Sequence, residues 1–329
     1  MMERRNRLNS GVLATIAFCA LLTGPAQAED VESLQIATLN CEFLIREKVH
    51  KKFGYPYELT GADKEKWDQP GYRDEQFAVA AETVAKKIAE IGADVIGLVE
   101  VGDEKDVKEL WKAVKQAGLD YRYLAVCDSK DKYTGQHVAV FSKLKLKDVK
   151  QQIPGREFFD EELDDEDREN STDVSKALST VLDVNGKPLN LYVVHLSSER
   201  GGHEQDQKRV AQSSIVRRTY LPKLSAGEHV VVVGDFNDHR GQPTLMRIRG
   251  RDDIFEDLIQ TGKLMHFARE DEDERWTYSF RGIRYQIDHI LVSQSLGELA
   301  KIRTKVIPVE DSVVSDHRGL AVDLTFKQE

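Results

Sequence analysis

The run Val230-Val-Val-Val-Gly-Asp-Phe-Asn-Asp238 restricts the fold more than any other part of the chain. Four consecutive β-branched residues favour an extended strand, and the absence of alternation means that both faces are buried. Such a strand needs one layer above it and another below. Gly234 then frees the backbone to turn. Asp235 and Asn237 follow two residues apart, so an extended chain projects both to one side. A carboxylate and a carboxamide leaving a core strand together are costly unless something binds them. The plainer alternative is a strand end closed by an Asx turn, since Gly, Asp and Asn are common turn residues.

The remaining segments can supply the layers. Leu34–Asn40 alternates and predicts a strand. Phe77, Val84, Ile88 and Ile91 lie at helical spacing between Asp74 and Gly92. Ala93–Glu100 is a second core strand that ends in a carboxylate, and Asp103–Gln116 is a helix closed before Gly118. Tyr121–Cys127 and His137–Ser142 read as a strand pair, and Ser179–Val184 with Leu189–Leu196 as a hairpin around Asn185-Gly186. Asp206–Leu224 is a long amphipathic helix and Thr244–Ile248 a short one; Thr277–Phe280, Gln286–Ser293 and Leu320–Phe326 are further strands. About ten strands with helices between only some of them depart from a strict βαβα alternation. They suit an α/β (α+β) sandwich of two mainly antiparallel β-sheets flanked by helices. No internal repeat or linker divides it, so residues 29–329 are expected to form a single domain. Two stretches are read as irregular: a long loop at 45–73, rich in Lys, Gly, Pro and Tyr, and an acidic, mobile insert at 157–173.

The N-terminus is read as a targeting segment. Arg4, Arg5 and Arg7 precede an apolar run from Gly11 to Leu22, and Ala26-Gln27-Ala28 supplies a small-x-small cleavage site. The run is short for a membrane span. The expectation is a signal peptide of residues 1–28, export to a periplasmic or secreted location, and no stable membrane span after cleavage. The net charge of −10 becomes −12 in the mature chain, because three Arg and one Glu are removed. That counts against a broad basic surface for duplex nucleic acid, and no Lys/Arg stripe with interleaved aromatics is visible. Cys41 and Cys127 remain, either as a disulfide or as two buried thiols. A monomer is expected.

Strand ends elsewhere carry the same kind of residue as Asp235 and Asn237. Asn40 ends the first strand and Glu42 follows it, Glu100 ends the second, His195 ends the hairpin, Asp288 lies in a late strand, and Asp316-His317 precedes the last. Singly, each is an ordinary cap or loop residue; jointly they specify chemistry. Hard oxygen donors without thiols suit Mg²⁺ or Mn²⁺, with Ca²⁺ also compatible, better than Zn²⁺. Histidines add acid–base capacity near neutrality, and an Asp beside a His fixes its tautomer. This set fits attack by water on a phosphorus ester.

Thr38-Leu-Asn40-Cys-Glu42, Asp94–Val101, Val194-His195-Leu, Gly234-Asp235-Phe-Asn237-Asp, Ile287-Asp288-His-Ile-Leu-Val-Ser and Ser315-Asp316-His317-Arg resemble, in order, the motifs of the endonuclease/exonuclease/phosphatase superfamily. The resemblance implies a four-layered sandwich with the site at one end. It implies Glu100, Glu42, Asn40 and Asp316 on the metal side. His195, Asp235, Asn237, Asp288 and His317 become catalytic residues, and Arg209 and Gln212 positioning residues on the helix after His195. Two positions depart from the pattern: Val99 stands where a Gln usually precedes the metal-binding Glu, and Gln286 replaces a basic residue. The activity implied is metal-dependent hydrolysis of a phosphate ester, first a phosphodiester or nucleic acid. The alternatives are a phosphomonoesterase acting on small organic or inositol phosphates, a sphingomyelinase-like diesterase, and a catalytically inactive binding module. A sphingomyelinase would want an exposed apolar hairpin, for which only Phe158-Phe159 offers a candidate.

Overall fold

The computed structural model describes residues 31–159, 170–239, 241–250, 264–266 and 275–327. The signal-peptide reading of residues 1–28 and the centre of the acidic insert, residues 160–169, lie outside them. In chain order the described strands begin with β1 (Ser33–Leu44), β2 (Val95–Val101), β3 (Tyr123–Val126), β4 (His137–Ser142), β5 (Lys147–Lys150), β6 (Ile153–Phe158), β7 (Ser171–Val174) and β8 (Ala177–Val184). They continue with β9 (Lys187–His195), β10 (His229–Asp235), β11 (Leu264–His266), β12 (Tyr278–Phe280), β13 (Ile283–Tyr285), β14 (Asp288–Ser293), β15 (Ala300–Ile307) and β16 (Gly319–Phe326). The α-helices are α1 (Gly61–Trp67), α2 (Tyr72–Ile91), α3 (Glu104–Gln116), α4 (His203–Ser225), α5 (Pro243–Arg249) and α6 (Gln294–Leu299).

Two six-stranded sheets result, ordered β15-β16-β1-β2-β4-β3 and β11-β14-β10-β9-β8-β5. Each contains one parallel pair, β1 with β2 and β9 with β10; the other neighbours are antiparallel. A parallel pair needs a crossover, and α2 and α4 provide the two. The pleat then sorts side chains by parity. Val231 and Val233 enter the core between the sheets with Leu34, Ile36, Val95 and Val193. Val230 and Val232 face Ile215, Val216 and Tyr220 of α4. On the other outer face Ala37, Leu39 and Ile96 meet Phe77, Val84 and Ile88 of α2 and Val107 and Leu110 of α3. The order helix, sheet, sheet, helix is the expected four-layered sandwich, and the Val230–Val233 run is buried on both sides.

Gly97 lets the two sheets approach closely. A Cβ there would lie 2.9 Å from Val233 Cγ2 and 3.0 Å from Val193 Cγ2. Cys41 and Cys127 are free, buried thiols, and they belong to the outer and inter-sheet cores respectively.

Three readings of irregular segments are corrected. Residues 45–73 are not a plain loop: Arg46–Phe53 is a 3₁₀ helix and α1 follows. The segment is organised around fully buried Trp67, which meets His50, Phe53, Tyr55 and Tyr72 at centroid distances of 5.1–5.9 Å. Residues 157–158 and 171–173 of the acidic insert are strand, since β6 pairs with β7. An exposed apolar hairpin does exist. β12 and β13 pair around Arg281-Gly282, both with positive φ, and present Phe280 and Ile283 at 47% and 58% exposure. No helix among the described residues is long and apolar enough to cross a membrane.

Candidate active site

Parallel strands deliver their C-terminal ends to the same edge, and both parallel pairs do so at the same end of the sandwich. Asp235 lies opposite His195 of β9 on one side and Asp288 of β14 on the other. Directly opposed residues on neighbouring strands share a face, which accounts for the convergence of three motifs that are distant in sequence. Gly234 makes this register attainable. Its φ is +133°, and a Cβ would stand 2.0 Å from the Val194 carbonyl oxygen.

The first sheet reaches the same point by interrupting its ladder. Asn40 pairs with Val99 and the next pair is Leu44 with Val101, so three residues of β1 oppose Glu100. β2 also bulges against β4 at Glu100. Glu42, Phe43 and Glu100 have φ of +39°, +48° and +59°, and Asn237 has +50°. Four of the seven described non-glycine residues with positive φ therefore belong to this edge. Such conformations cost about 1–3 kcal/mol each and persist where surrounding structure imposes them. Here the Glu42 N–H donates to Asn40 Oδ1 at 2.8 Å and the Phe43 N–H donates to Glu100 Oε2 at 3.1 Å. Bulges of this kind re-aim side chains, and here Glu100 reaches the second sheet's His195 while Glu42 stays beside Asp316 and Lys52.

The two halves meet through side chains. Asn40 Nδ2 donates to Asp235 Oδ2 at 3.3 Å across the sheets. His195 Nε2 lies 3.9 Å from both Glu100 Oε1 and Asp235 Oδ2. The Asn237 N–H donates to Asp235 Oδ1 at 2.8 Å, while Asn237 Nδ2 donates to the Leu196 carbonyl at 3.0 Å. His317 Nδ1 is 2.7 Å from Asp288 Oδ2, and its Nε2 is 3.8 Å from Asp316 Oδ1. Asp288 is held by its own N–H, which donates to Thr277 Oγ1 at 3.1 Å. Asp316 is exposed at the mouth, where it and Glu42 act on Glu100 through their charge rather than by a short contact.

Burial sets the electrostatics. It raises the Glu100 carboxyl, and Asp316 adds to the effect. Burial and the nearby Asp316 charge raise Glu42 to about 7. Asp235 is pushed up by burial and then by Asp288. His195 falls well below its ordinary value, because it is buried and faces Lys176 and His317. Burial also disfavours charge on His317, but Asp288, with help from Asp235 and Asp316, overrides it and lifts His317 to about 10. Near neutrality the site thus holds a neutral His195 beside a cationic His317.

The donor set fits a divalent cation. Glu100, His195 and Asp235 offer ligand atoms within 4.8 Å of one another, and Asp235, Asp288 and His317 do the same. Asp288 Oδ1 is buried without a hydrogen-bond partner. Carboxylates crowded in a buried cleft raise each other's pKa, and a cation removes that penalty. Hard oxygen donors select Mg²⁺, Mn²⁺ or Ca²⁺ over softer metals.

Arg209 and Gln212 stand behind the site. Arg209 Nη1 donates to the Ser198 carbonyl at 3.0 Å, and Nη2 is paired with Asp206. Gln212 Oε1 accepts from the Ser197 N–H at 2.9 Å, and Nε2 reaches Thr172 Oγ1 at 3.3 Å. Together they clamp the turn after His195. Val99 belongs to the inter-sheet core.

Two buried lysines escaped the sequence reading. Lys176 Nζ is 3.1 Å from Gln136 Oε1 and 3.5 Å from Asp131 Oδ2, and its charge acts on Glu100 and Asp235. Lys52 Nζ donates to the carbonyls of Cys41, Glu42 and Val314 at 2.7, 3.0 and 3.1 Å. It thereby ties the β1 bulge to the loop that carries Asp316 and His317. No local pattern distinguishes either from a surface lysine.

These features make up a candidate divalent-cation site at one end of a two-sheet sandwich. The sequence matches the Endonuclease/Exonuclease/phosphatase family over residues 37–317, and the chain belongs to that family. No curated protein matches by sequence. Solved structures show the same fold at low identity. Truncated TDP2 of Caenorhabditis elegans aligns at 14% identity and a TM-score of 0.54, over 90% of this chain and 98% of that one. A mutant beta toxin of Staphylococcus aureus with bound magnesium ions gives 14%, 0.55, 90% and 100%. An endonuclease/exonuclease/phosphatase family protein from Leptotrichia buccalis gives 16%, 0.52, 89% and 100%.

Proposed function

We propose that the protein is an exported, divalent-metal-dependent phosphodiesterase that hydrolyses its substrate by in-line attack of water. One observation carries this reading: Asp235 lies between His195 and Asp288, faces Asn40 across the sheets, and adjoins a His317 held cationic by Asp288. Glu100 would be the principal metal ligand, with Glu42, Asn40 and Asp316 completing that side. A bound divalent ion would supply charge neutralisation and Lewis acidity there.

The chain's residues do the rest. Asp235, raised to about 8 by burial and Asp288, accepts the proton of the attacking water in its ionised form. Asn237 keeps one amide hydrogen for the developing negative charge, the other being held by Leu196. Cationic His317 faces the phosphate and donates toward the leaving oxygen, while Asp288 fixes its orientation and sustains its charge. Neutral His195 offers a ring nitrogen between Glu100 and Asp235. Export rests on residues 1–28.

A second reading, a diesterase working at a lipid surface, is favoured by the hairpin tip. Phe280 and Ile283 protrude beside Arg281, and Tyr278 at its base packs 4.8 Å from the His317 ring. A panel of single-stranded DNA, RNA, inositol phosphates, sphingomyelin vesicles and simple mono- and diesters, assayed with Mg²⁺, separates the readings. Hydrolysis of diesters in preference to monoesters is expected. Cleavage of monoesters alone would overturn the diesterase assignment.

A further inference from the structure

Phe43 links Glu100 to a surface that no single stretch of sequence reveals. Its N–H binds the Glu100 carboxylate, and its ring meets Tyr57 edge-on at 5.9 Å. Tyr57 stacks on Tyr133, with centroids 5.9 Å apart and planes 17° from parallel, and donates its hydroxyl hydrogen to the Tyr133 carbonyl at 3.0 Å. Tyr133 is 80% exposed, so the face turned away from Tyr57 is open to solvent.

A lone exposed tyrosine needs no explanation. This one is built into place. Asp131 Oδ1 accepts from the N–H groups of Tyr133 and Thr134 at 3.0 Å each, and Ser129 Oγ donates to the Gln136 carbonyl at 2.7 Å. Asp131 and Gln136 also hold the Lys176 ammonium. One loop therefore positions a buried cation toward the carboxylates on its inner side and an open aromatic ring on its outer side.

Cations border the rings. Lys48 Nζ sits 3.9 Å from the Tyr57 centroid, and Lys51 Nζ 5.4 Å from that of Phe43. Lys132, next to Tyr133, is exposed. A flat π surface with ammonium groups, beside a phosphate-ester site, suits a planar base joined to phosphates. An inositol ring has no π face to stack. A choline headgroup is itself a cation and is repelled by Lys48 and Lys51. A duplex offers only bases already stacked on one another, and the net charge of −10 disfavours its dense phosphates.

We propose that Tyr133, backed by Tyr57 and Phe43, is a stacking platform for one unpaired nucleobase of a single-stranded nucleic acid whose adjoining phosphate enters the site. This rests on the phosphodiesterase reading and specifies its substrate class. Base–aromatic stacking tolerates any sequence, because every base has a π face.

The test is fluorescence anisotropy of end-labelled octathymidylate, compared with a base-free deoxyribose-phosphate strand of equal length, in EDTA so that metal-dependent turnover is suppressed. The wild type is expected to bind the base-bearing strand more tightly. Tyr133→Ala should weaken that binding roughly tenfold and bring the two strands close to equal affinity, and Tyr133→Phe should restore the preference. Unchanged binding by Tyr133→Ala, equal binding of both strands by the wild type, or wild-type binding to sphingomyelin vesicles instead of octathymidylate would each overturn the proposal. Wild-type hydrolysis of bis(p-nitrophenyl) phosphate with Mg²⁺, measured alongside, shows separately whether the phosphodiesterase reading stands.

Discussion

The β1–α2–β2 and β9–α4–β10 units are built on one plan, with a long crossover helix and a central parallel pair that ends in polar residues. They solve the same problem differently. In the second unit the ladder runs unbroken to its last pair, Asp235 with His195. In the first it breaks after Asn40, and Glu42, Phe43 and Glu100 adopt left-handed backbone. The crossovers differ as well. α2 buries Phe77, Ala80, Val84 and Ile88 as a plain apolar face, whereas α4 also buries Arg209, Gln212, Ser213 and Arg217. The second unit thus holds regular strand ends in place with hydrogen bonds from its helix. The first places its carboxylates through local backbone strain and a lysine tether. The strained, partly open half suits an exchangeable ion, and the regular, buried half suits groups whose pKa values must be held.

The largest effects should separate the halves. Glu100→Gln and Asp235→Asn are each expected to lower kcat for a phosphodiester on the order of 10³-fold. Glu100→Gln should abolish the rise in Tm that Mg²⁺ produces, whereas Asp235→Asn, which removes one donor of the same cluster, should only reduce it. Equal loss of the Mg²⁺ response in both variants would erase the proposed division of labour. Asp288→Asn should cost about 10²–10⁴-fold in kcat, because His317 loses the carboxylate that keeps it charged.

Denaturant melts across pH probe the same pair. With His317 raised from 6.5 to about 10, the folded state holds the proton more tightly than the unfolded one. The associated stability is full below pH 6.5 and is lost as pH rises through 10. Asp288→Asn should flatten that slope. Glu42, raised from 4.5 to about 7, makes the metal-free protein less stable as pH rises across that interval. The Mg²⁺-induced increase in Tm should therefore grow over the same range, and a pH-independent increase would count against carboxylate ligation.

Smaller effects test the scaffold. Gly234→Ala places a Cβ against the Val194 carbonyl at a positive φ and should cost at least about 2 kcal/mol, opening the β9–β10 ladder. Gly97→Ala meets only valine methyl groups and should cost about 1–3 kcal/mol with the site left intact. Melts with parallel activity assays distinguish the two. Arg209→Ala, which loosens the Ser197–Ser198 turn, is expected to lower kcat/KM by roughly tenfold.

Much of this arrangement is legible in the sequence because it is short-range. Val230–Asp238 shows a buried strand and a polar pair two residues apart, and Asp94–Glu100 repeats the plan. What the sequence hides is tertiary. Lys176 and Lys52 look like surface lysines until Asp131, Gln136 and three backbone carbonyls enclose them. α1 has too few residues to show a period, and Trp67 rather than amphipathicity holds it. The β12–β13 hairpin has three-residue strands, too short to reveal alternation. β15 does alternate, with Lys301, Arg303 and Lys305 on one side, but its charged face masks an edge strand. The aromatic ledge joins Phe43, Tyr57 and Tyr133, which only the folded chain brings together.

Hydrolysis of bis(p-nitrophenyl) phosphate by the wild type, measured after EDTA treatment and again after adding back Mg²⁺ or Mn²⁺, tests the central proposal most directly. Activity should vanish with EDTA and return with either ion, while Glu100→Gln stays inactive throughout. Activity that survives EDTA, or a Glu100→Gln variant that recovers with metal, would contradict a site in which Glu100 holds the ion and Asp235 takes the proton.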